Sequence, residues 1–115
     1  MKKFELDLTA YEVEIPGENN GIQYPIRDNL SSMLRAAGVF KSGEDTAEAV
    51  SLGKSIMAAQ LNDIILDERE MEILKSCLNR HISATAEGKA MFGGPVHEEC
   101  ILRVFGAKEI TNAPQ

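Results

Sequence analysis

Two cysteines and two histidines are the side chains in this sequence best suited to chemistry. Cys77 and His81 lie four residues apart, and His97 and Cys100 lie three apart. Either spacing sets a pair on one face of a helix. If the two segments are antiparallel neighbours, two thiolates and two imidazoles converge. Zinc accepts that set tetrahedrally, and a bound metal would supply folding free energy to a small domain. The competing reading is packing. Cys77 and Cys100 fall at core-like positions in apolar stripes, and His81 falls where a helix ends. No turn-borne cysteine pair of the usual zinc type is present. The expectation is therefore no cofactor, with a small regulatory protein stabilised by zinc on Cys77, His81, His97 and Cys100 as the alternative.

His97-Glu98-Glu99 sets an imidazole beside two carboxylates. Adjacent helix residues point about 100° apart, so sequence neighbourhood does not make them an acid–base dyad. The two glutamates suit the positive end of a helix. Gly93-Gly94-Pro95 could offer backbone amides to an anion, but it matches neither a Walker loop nor a dinucleotide fingerprint and reads as a turn. Gly-x-Ser-x-Gly, His-Glu-x-x-His and Cys-x-x-Cys are absent. The sequence predicts a protein that is not an enzyme.

These residues must be positioned by the elements around them. Residues 4–8 alternate apolar and acidic, as a half-buried strand does. Residues 11–15 repeat the pattern with the opposite parity, so a bend near Thr9-Ala10 is needed to keep one buried face. The turn cluster at 16–21 then leads to Ile22, Tyr24 and Ile26, and 11–15 with 22–26 predicts a hairpin. Asp28 is a candidate cap for a first helix with the stripe Leu30, Met33, Leu34 and Ala37, stopped by Gly38. Ser42 and Asp45 open a second helix that runs to about Gln60, with Ala49, Leu52, Ile56 and Ala59 on one face. Gly53 in its middle costs about 1 kcal/mol relative to alanine and signals close helix packing.

Ile64-Ile65-Leu66 is a short strand or a buried connector. Asp67 and Glu70 form the next cap pair, ahead of a third helix with the stripe Met71, Leu74, Leu78 and Ile82. Residues 83–94 read as a loop, or as a short helix around 87–91 with loop ends. Pro95 fits the first position of a last helix carrying Val96, Cys100, Ile101, Val104 and Phe105. Gly106 stops it, and 107–115 reads as a flexible tail. The sequence thus predicts one α+β domain over 1–106: an N-terminal antiparallel hairpin or small sheet packed on three to four helices.

At 115 residues the chain is of single-domain length. Twelve Lys and Arg against 18 Asp and Glu give a formal charge of −6, which argues against direct nucleic-acid binding. With four Phe, two Tyr and no Trp the core is thin, and self-association is one way to complete it. Glu5 and Asp7 interrupt the only apolar stretch near the N-terminus, so no signal peptide or membrane span is expected. The reading places the protein in the cytoplasm, with Cys77 and Cys100 reduced.

The order of pieces carries a resemblance. Leu6-Asp7-Leu8-x-x-Tyr11-x-Val13 opens the chain, and Tyr24-Pro25-Ile26-Arg27-Asp28-Asn29-Leu30 enters the first helix. Ala49-Val50-Ser51-Leu52-Gly53-Lys54-Ser55-Ile56-Met57-Ala58-Ala59 and Ile64-Ile65-Leu66-Asp67-Glu68-Arg69-Glu70-Met71-Glu72-Ile73-Leu74-Lys75 follow. Over residues 4–82 this resembles small tailed-phage and prophage proteins, while 88–100 has no counterpart in them. The resemblance implies a non-enzymatic accessory role, in head or tail assembly or in managing the host, within the host bacterium's cytoplasm. It implies a phage-encoded protein partner and a homo-oligomer. Tyr11, Tyr24 and Phe40 are the candidate contact residues, with core packing as their competing role. The acidic strands allow a further alternative, an inhibitor that presents carboxylates to a host nucleic-acid-binding protein.

Overall fold

The computed structural model describes residues 2–14, 17 and 21–110. It is an α+β fold of four helices and five short strands in two antiparallel sheets. The strands are β1 (Lys3–Asp7), β2 (Tyr11–Val13), β3 (Ile22–Tyr24), β4 (Asp63–Asp67) and β5 (Lys108–Ile110). The helices are α1 (Ile26–Leu34), α2 (Gly43–Ala58), α3 (Glu68–Ala86) and α4 (Gly94–Phe105).

β1 turns Leu6 inward and Lys3, Glu5 and Asp7 outward, the alternation its sequence predicts. Its backbone partners are distant in sequence. β4 lies on one side, with Leu6 opposite Ile64 and Phe4 opposite Leu66. β5 lies on the other, with Lys3 opposite Ile110 and Glu5 opposite Lys108. The run Ile64-Ile65-Leu66 is thus a strand. The tail expected to fray from Ala107 is instead ordered over Lys108–Ile110, because it supplies the hydrogen bonds that β1 lacks on its second edge. Residues 111–115 lie outside the described residues.

The chain leaves this sheet at Thr9, whose amide donates to Asp7 Oδ1 at 2.8 Å. That bond, more than the nearby Arg103, holds the Asp7 carboxyl below its usual range. The bend expected at Thr9-Ala10 therefore separates two sheets. β2 and β3 form the predicted hairpin, with Tyr11 opposite Tyr24 and Val13 opposite Ile22, shorter than 11–15 and 22–26. Ile15 itself lies outside the described residues.

α1 begins at Ile26, so Asp28 falls inside its first turn and does not cap it; Pro25 occupies that position with no side-chain hydrogen bond. The helix ends at Leu34, four residues before Gly38, and Ala37 is exposed. α2 is capped as expected, Asp45 N–H donating to Ser42 Oγ at 3.0 Å. It stops at Ala58, where Arg27 of α1 donates to the Ile56, Ala59 and Leu61 carbonyls. No basic residue lies in the last turn of α2, and a neighbouring helix supplies the missing cation.

Gly53 faces α1, and a methyl group there would stand 3.2 Å from the Ser31 carbonyl and 3.1 Å from Arg35 Cγ. Ser31 is fully buried and its Oγ donates to the Gly53 carbonyl at 2.9 Å. The mid-helix glycine thus marks close helix approach, as its position suggested. α3 carries a full capping box of Asp67 and Glu70. It runs on through Ala86, absorbing residues 83–86 of the segment expected to be loop. Ile82 is 37% exposed, and Ile73 and Cys77 take its place in the buried face. The core joins Leu6, Leu66, Leu74, Leu78 and Val104 with Ile26, Leu30, Leu34, Leu52 and Ile56.

Candidate functional site

The polar and aromatic side chains of this molecule converge where the hairpin, the end of α3 and the start of α4 meet. Cross-strand register stacks Tyr11 on Tyr24, with ring centroids 4.8 Å apart and planes 14° apart. Tyr24 meets His97 edge-on at 5.3 Å. His97 lies 4.6 Å from Phe92, and Phe92 lies 6.1 Å from His81. The result is a run of five rings drawn from β2, β3, α3, α4 and the loop before α4.

The loop is held by Thr85. Its Oγ1 donates to the His81 carbonyl and accepts from Phe92 N–H, both at 2.8 Å. These bonds fold the chain back after α3 and insert Phe92 between the two histidines. Gly93 and Gly94 then take φ values of +121° and +68°, which side chains rarely adopt, and Pro95 stands in the first turn of α4.

A cleft of about 220 Å³ opens on this run, lined by Tyr24, His81, Phe92 and His97, by Asn29, Ser32 and Met33 of α1, and by Ala90 and Met91. No charged side chain lines it. Burial lowers the pKa of His97, favouring the neutral imidazole. Its Nδ1 meets the Gly93 backbone, and its Nε2 makes no hydrogen bond among the described residues. His81 Nε2 is 3.2 Å from the Met33 carbonyl, and its Nδ1 makes no hydrogen bond among the described residues. Tyr24 is 4% exposed. Its buried hydroxyl lies near the Asn29 and Cys100 side chains, with no well-formed hydrogen bond among the described residues. Burial raises its pKa strongly, so the phenol stays protonated.

The four proposed zinc ligands do not gather. Phe92 stands between His81 and His97, and no three or more His, Cys, Asp or Glu side chains form a group able to hold a metal among the described residues. Cys77 and Cys100 are free, buried thiols. Desolvation pushes their pKa values up to about 12 and about 11. Helix spacing put each pair on one helix, but the loop decided what lies between them.

The three candidate contact residues are partly or wholly covered. Tyr24 is in the core. Tyr11 is half-buried, its Oη accepting from Cys100 N–H at 2.9 Å and its ring covered by Arg103 at 4.8 Å. Phe40 is half-buried under Arg80 at 5.0 Å, and Arg80 also donates to the Val39 carbonyl. A concavity of about 690 Å³ includes this corner with Lys41, Arg80 and Lys89. Two of these three cations are already engaged, Arg80 over Phe40 and Lys89 with Glu87.

Two further surface features flank the cleft. Met91, Val96, Leu102 and Phe105 are exposed, Leu102 at 60% and Met91 at 93%. Pro95, Glu98, Leu102 and Phe105 recur at three- and four-residue spacing along one side of α4. Between that side and β2 runs a groove of about 370 Å³ with Glu12, Glu14, Glu98 and Glu99 in its walls. Sequence reasoning missed Asn29, Thr85, Phe92 and Arg103. Only Phe92 carried a signal, as the one aromatic residue in a glycine-rich stretch.

Comparison with protein families, with characterised proteins and with solved structures finds no match to this chain. Among the described residues, no helix is long and apolar enough to cross a membrane.

Proposed function

We propose that this chain is a phage-derived accessory protein that acts by protein–protein contact, in head or tail assembly within the host bacterium. The observation that carries the contact reading is the row of large apolar side chains left open on α4 and the loop before it. The sequence resemblance carries the phage setting. The expected partners are a phage-encoded protein and further copies of this chain. The test places a photo-crosslinking residue at Leu102 in cells producing particles. Crosslinks to a virion structural protein, or to a second copy, support the proposal. Crosslinks confined to host proteins overturn it.

The acidic groove between β2 and α4 favours a second reading, an inhibitor of a basic, nucleic-acid-binding host protein. That reading requires salt-sensitive binding which Glu12→Lys with Glu14→Lys weakens. Unchanged binding by that variant removes it.

A further inference from the structure

We infer that the open cleft between the α1–α2 connection and the second half of α3 is a binding site for a small phosphorylated molecule. Its volume of about 690 Å³ lies within the range of small-molecule sites and holds a phosphoryl group with a sugar- or base-sized body. Three cations line it, Lys41, Arg80 and Lys89, against one acid, Glu87. The formal local charge is thus +2 in a chain of −6. The C-terminal ends of α1 and α3 flank the cleft and bring about half a negative charge each, so it stays positive. Arg80 is held there without being neutralised. Its Nη1 donates to the Val39 carbonyl at 3.2 Å and its guanidinium covers Phe40, and neither Arg80 nor Lys41 pairs with a carboxylate among the described residues. Lys89 meets Glu87 at 3.6 Å with both side chains exposed, a contact that an incoming anion displaces at little cost.

Backbone donors reinforce the cations. Gly38 takes a φ of +81° in the connection, and residues 36–39 line the cleft. A left-handed residue in a turn aims successive N–H groups at one point, as concave anion sites do. The amides of Ala37, Gly38 and Val39 donate to no backbone carbonyl among the described residues. Asn79 and Ser83 add neutral donors from α3, so donors come from two opposite walls. A phosphate monoester carries nearly two negative charges and three strong acceptor oxygens, enough to meet both walls at once. A carboxylate brings one charge and two coplanar oxygens. A long polyanion is disfavoured, because its outlying charges face the negative surface of the rest of the chain. A small ligand inside the cleft is screened from that surface beyond about 8 Å at physiological salt.

The test titrates the full chain with inorganic phosphate, pyrophosphate and glycerol 3-phosphate at fixed ionic strength, read by calorimetry and by backbone amide NMR shifts. Succinate and hexaglutamate serve as the carboxylate controls. At least one phosphate compound is expected to bind at millimolar concentration or better and about tenfold tighter than succinate, with shifts centred on the α1–α2 connection and the second half of α3. Arg80→Gln is expected to weaken that compound about tenfold. That variant also uncovers Phe40, so Lys41→Gln, at an exposed side chain, repeats the charge test without loss of packing. It is expected to weaken binding roughly three- to tenfold with an unchanged melting temperature. Ser83→Tyr keeps the charge and fills the cleft, and is expected to abolish binding. The proposal is overturned if no phosphate compound binds, if succinate or hexaglutamate binds as tightly, or if Lys41→Gln and Ser83→Tyr leave affinity unchanged. No residue of α4 lines this cleft, so none of these results depends on whether the α4 surface has a protein partner.

Discussion

Arg103 should be the polar side chain that contributes most to keeping the two sheets and α4 in register. Its Nη1 donates to the Thr9 carbonyl at 2.6 Å and more weakly to the Asp7 carbonyl at 3.4 Å. Its Nε donates to Glu99 at 2.7 Å, and its guanidinium covers the Tyr11 ring at 4.8 Å. The side chain is only 16% exposed. A hydrogen bond from a charged donor contributes about 1.5–3 kcal/mol, and the lower end applies because the carbonyls sit at a surface corner. The cation–π contact adds about 0.5–1 kcal/mol. The Glu99 pair adds ~0.5 kcal/mol or less, its carboxylate being about half exposed. Arg103→Ala should therefore cost about 2–3 kcal/mol, and the melting temperature should fall by roughly 10 °C or more. Arg103→Lys keeps the charge but loses the planar fork, and should recover no more than about half of that. Urea titrations of the three proteins in low and high salt measure this directly. Carbonyl contacts survive salt, so the difference should persist. A loss below ~0.5 kcal/mol, or one that vanishes in high salt, refutes the account and makes Arg103 an ordinary surface ion pair.

Two other predictions follow from particular contacts. Burial lowers the folded-state pKa of His97 below its unfolded value of 6.5. Between those two values the unfolded chain holds a proton that the folded chain lacks, so this contribution is present in full above pH 6.5 and is lost as pH falls. His97→Asn should flatten that acid limb in urea midpoints measured across pH 5–8; an unchanged slope assigns it to other groups. Ending the chain at Ala107 removes the three β1–β5 residue pairs. Cross-strand pairs contribute roughly 0.2–1 kcal/mol each, so the loss should be about 1–2 kcal/mol, with a bare β1 edge prone to self-association. An unaltered urea midpoint and a monomeric elution profile would show that β5 adds nothing.

Much of the scaffold was legible because it is local. Period-two alternation identified β1, β2 and β3, and the side-chain caps at Ser42 and at Asp67 with Glu70 placed two helix starts. Those signals act within four residues, where sequence distance and spatial distance agree. Asp28 misled for the same reason: it is a good capping residue type, but Ile26, two residues earlier and fully buried in the core, is already helical. Gly53 was legible as a close contact because a mid-helix glycine is unfavourable unless something needs the space.

The pairing of β1 with β4 and β5 was not legible, since its strands are separated by more than fifty residues on one side and a hundred on the other. Short strands of similar composition do not encode which partner they take; backbone hydrogen bonding demands only that some partner be found. The candidate site was hidden more deeply. Helix periodicity by itself determined that Cys77 and His81 share a face, and that His97 and Cys100 share another. Only the tertiary structure decided that the thiols turn into the core and that Phe92 separates the imidazoles. Two Thr85 hydrogen bonds and a pair of left-handed glycines set the path of the loop. Side-chain identity specifies what each group can do, but the loop conformation specifies which groups meet.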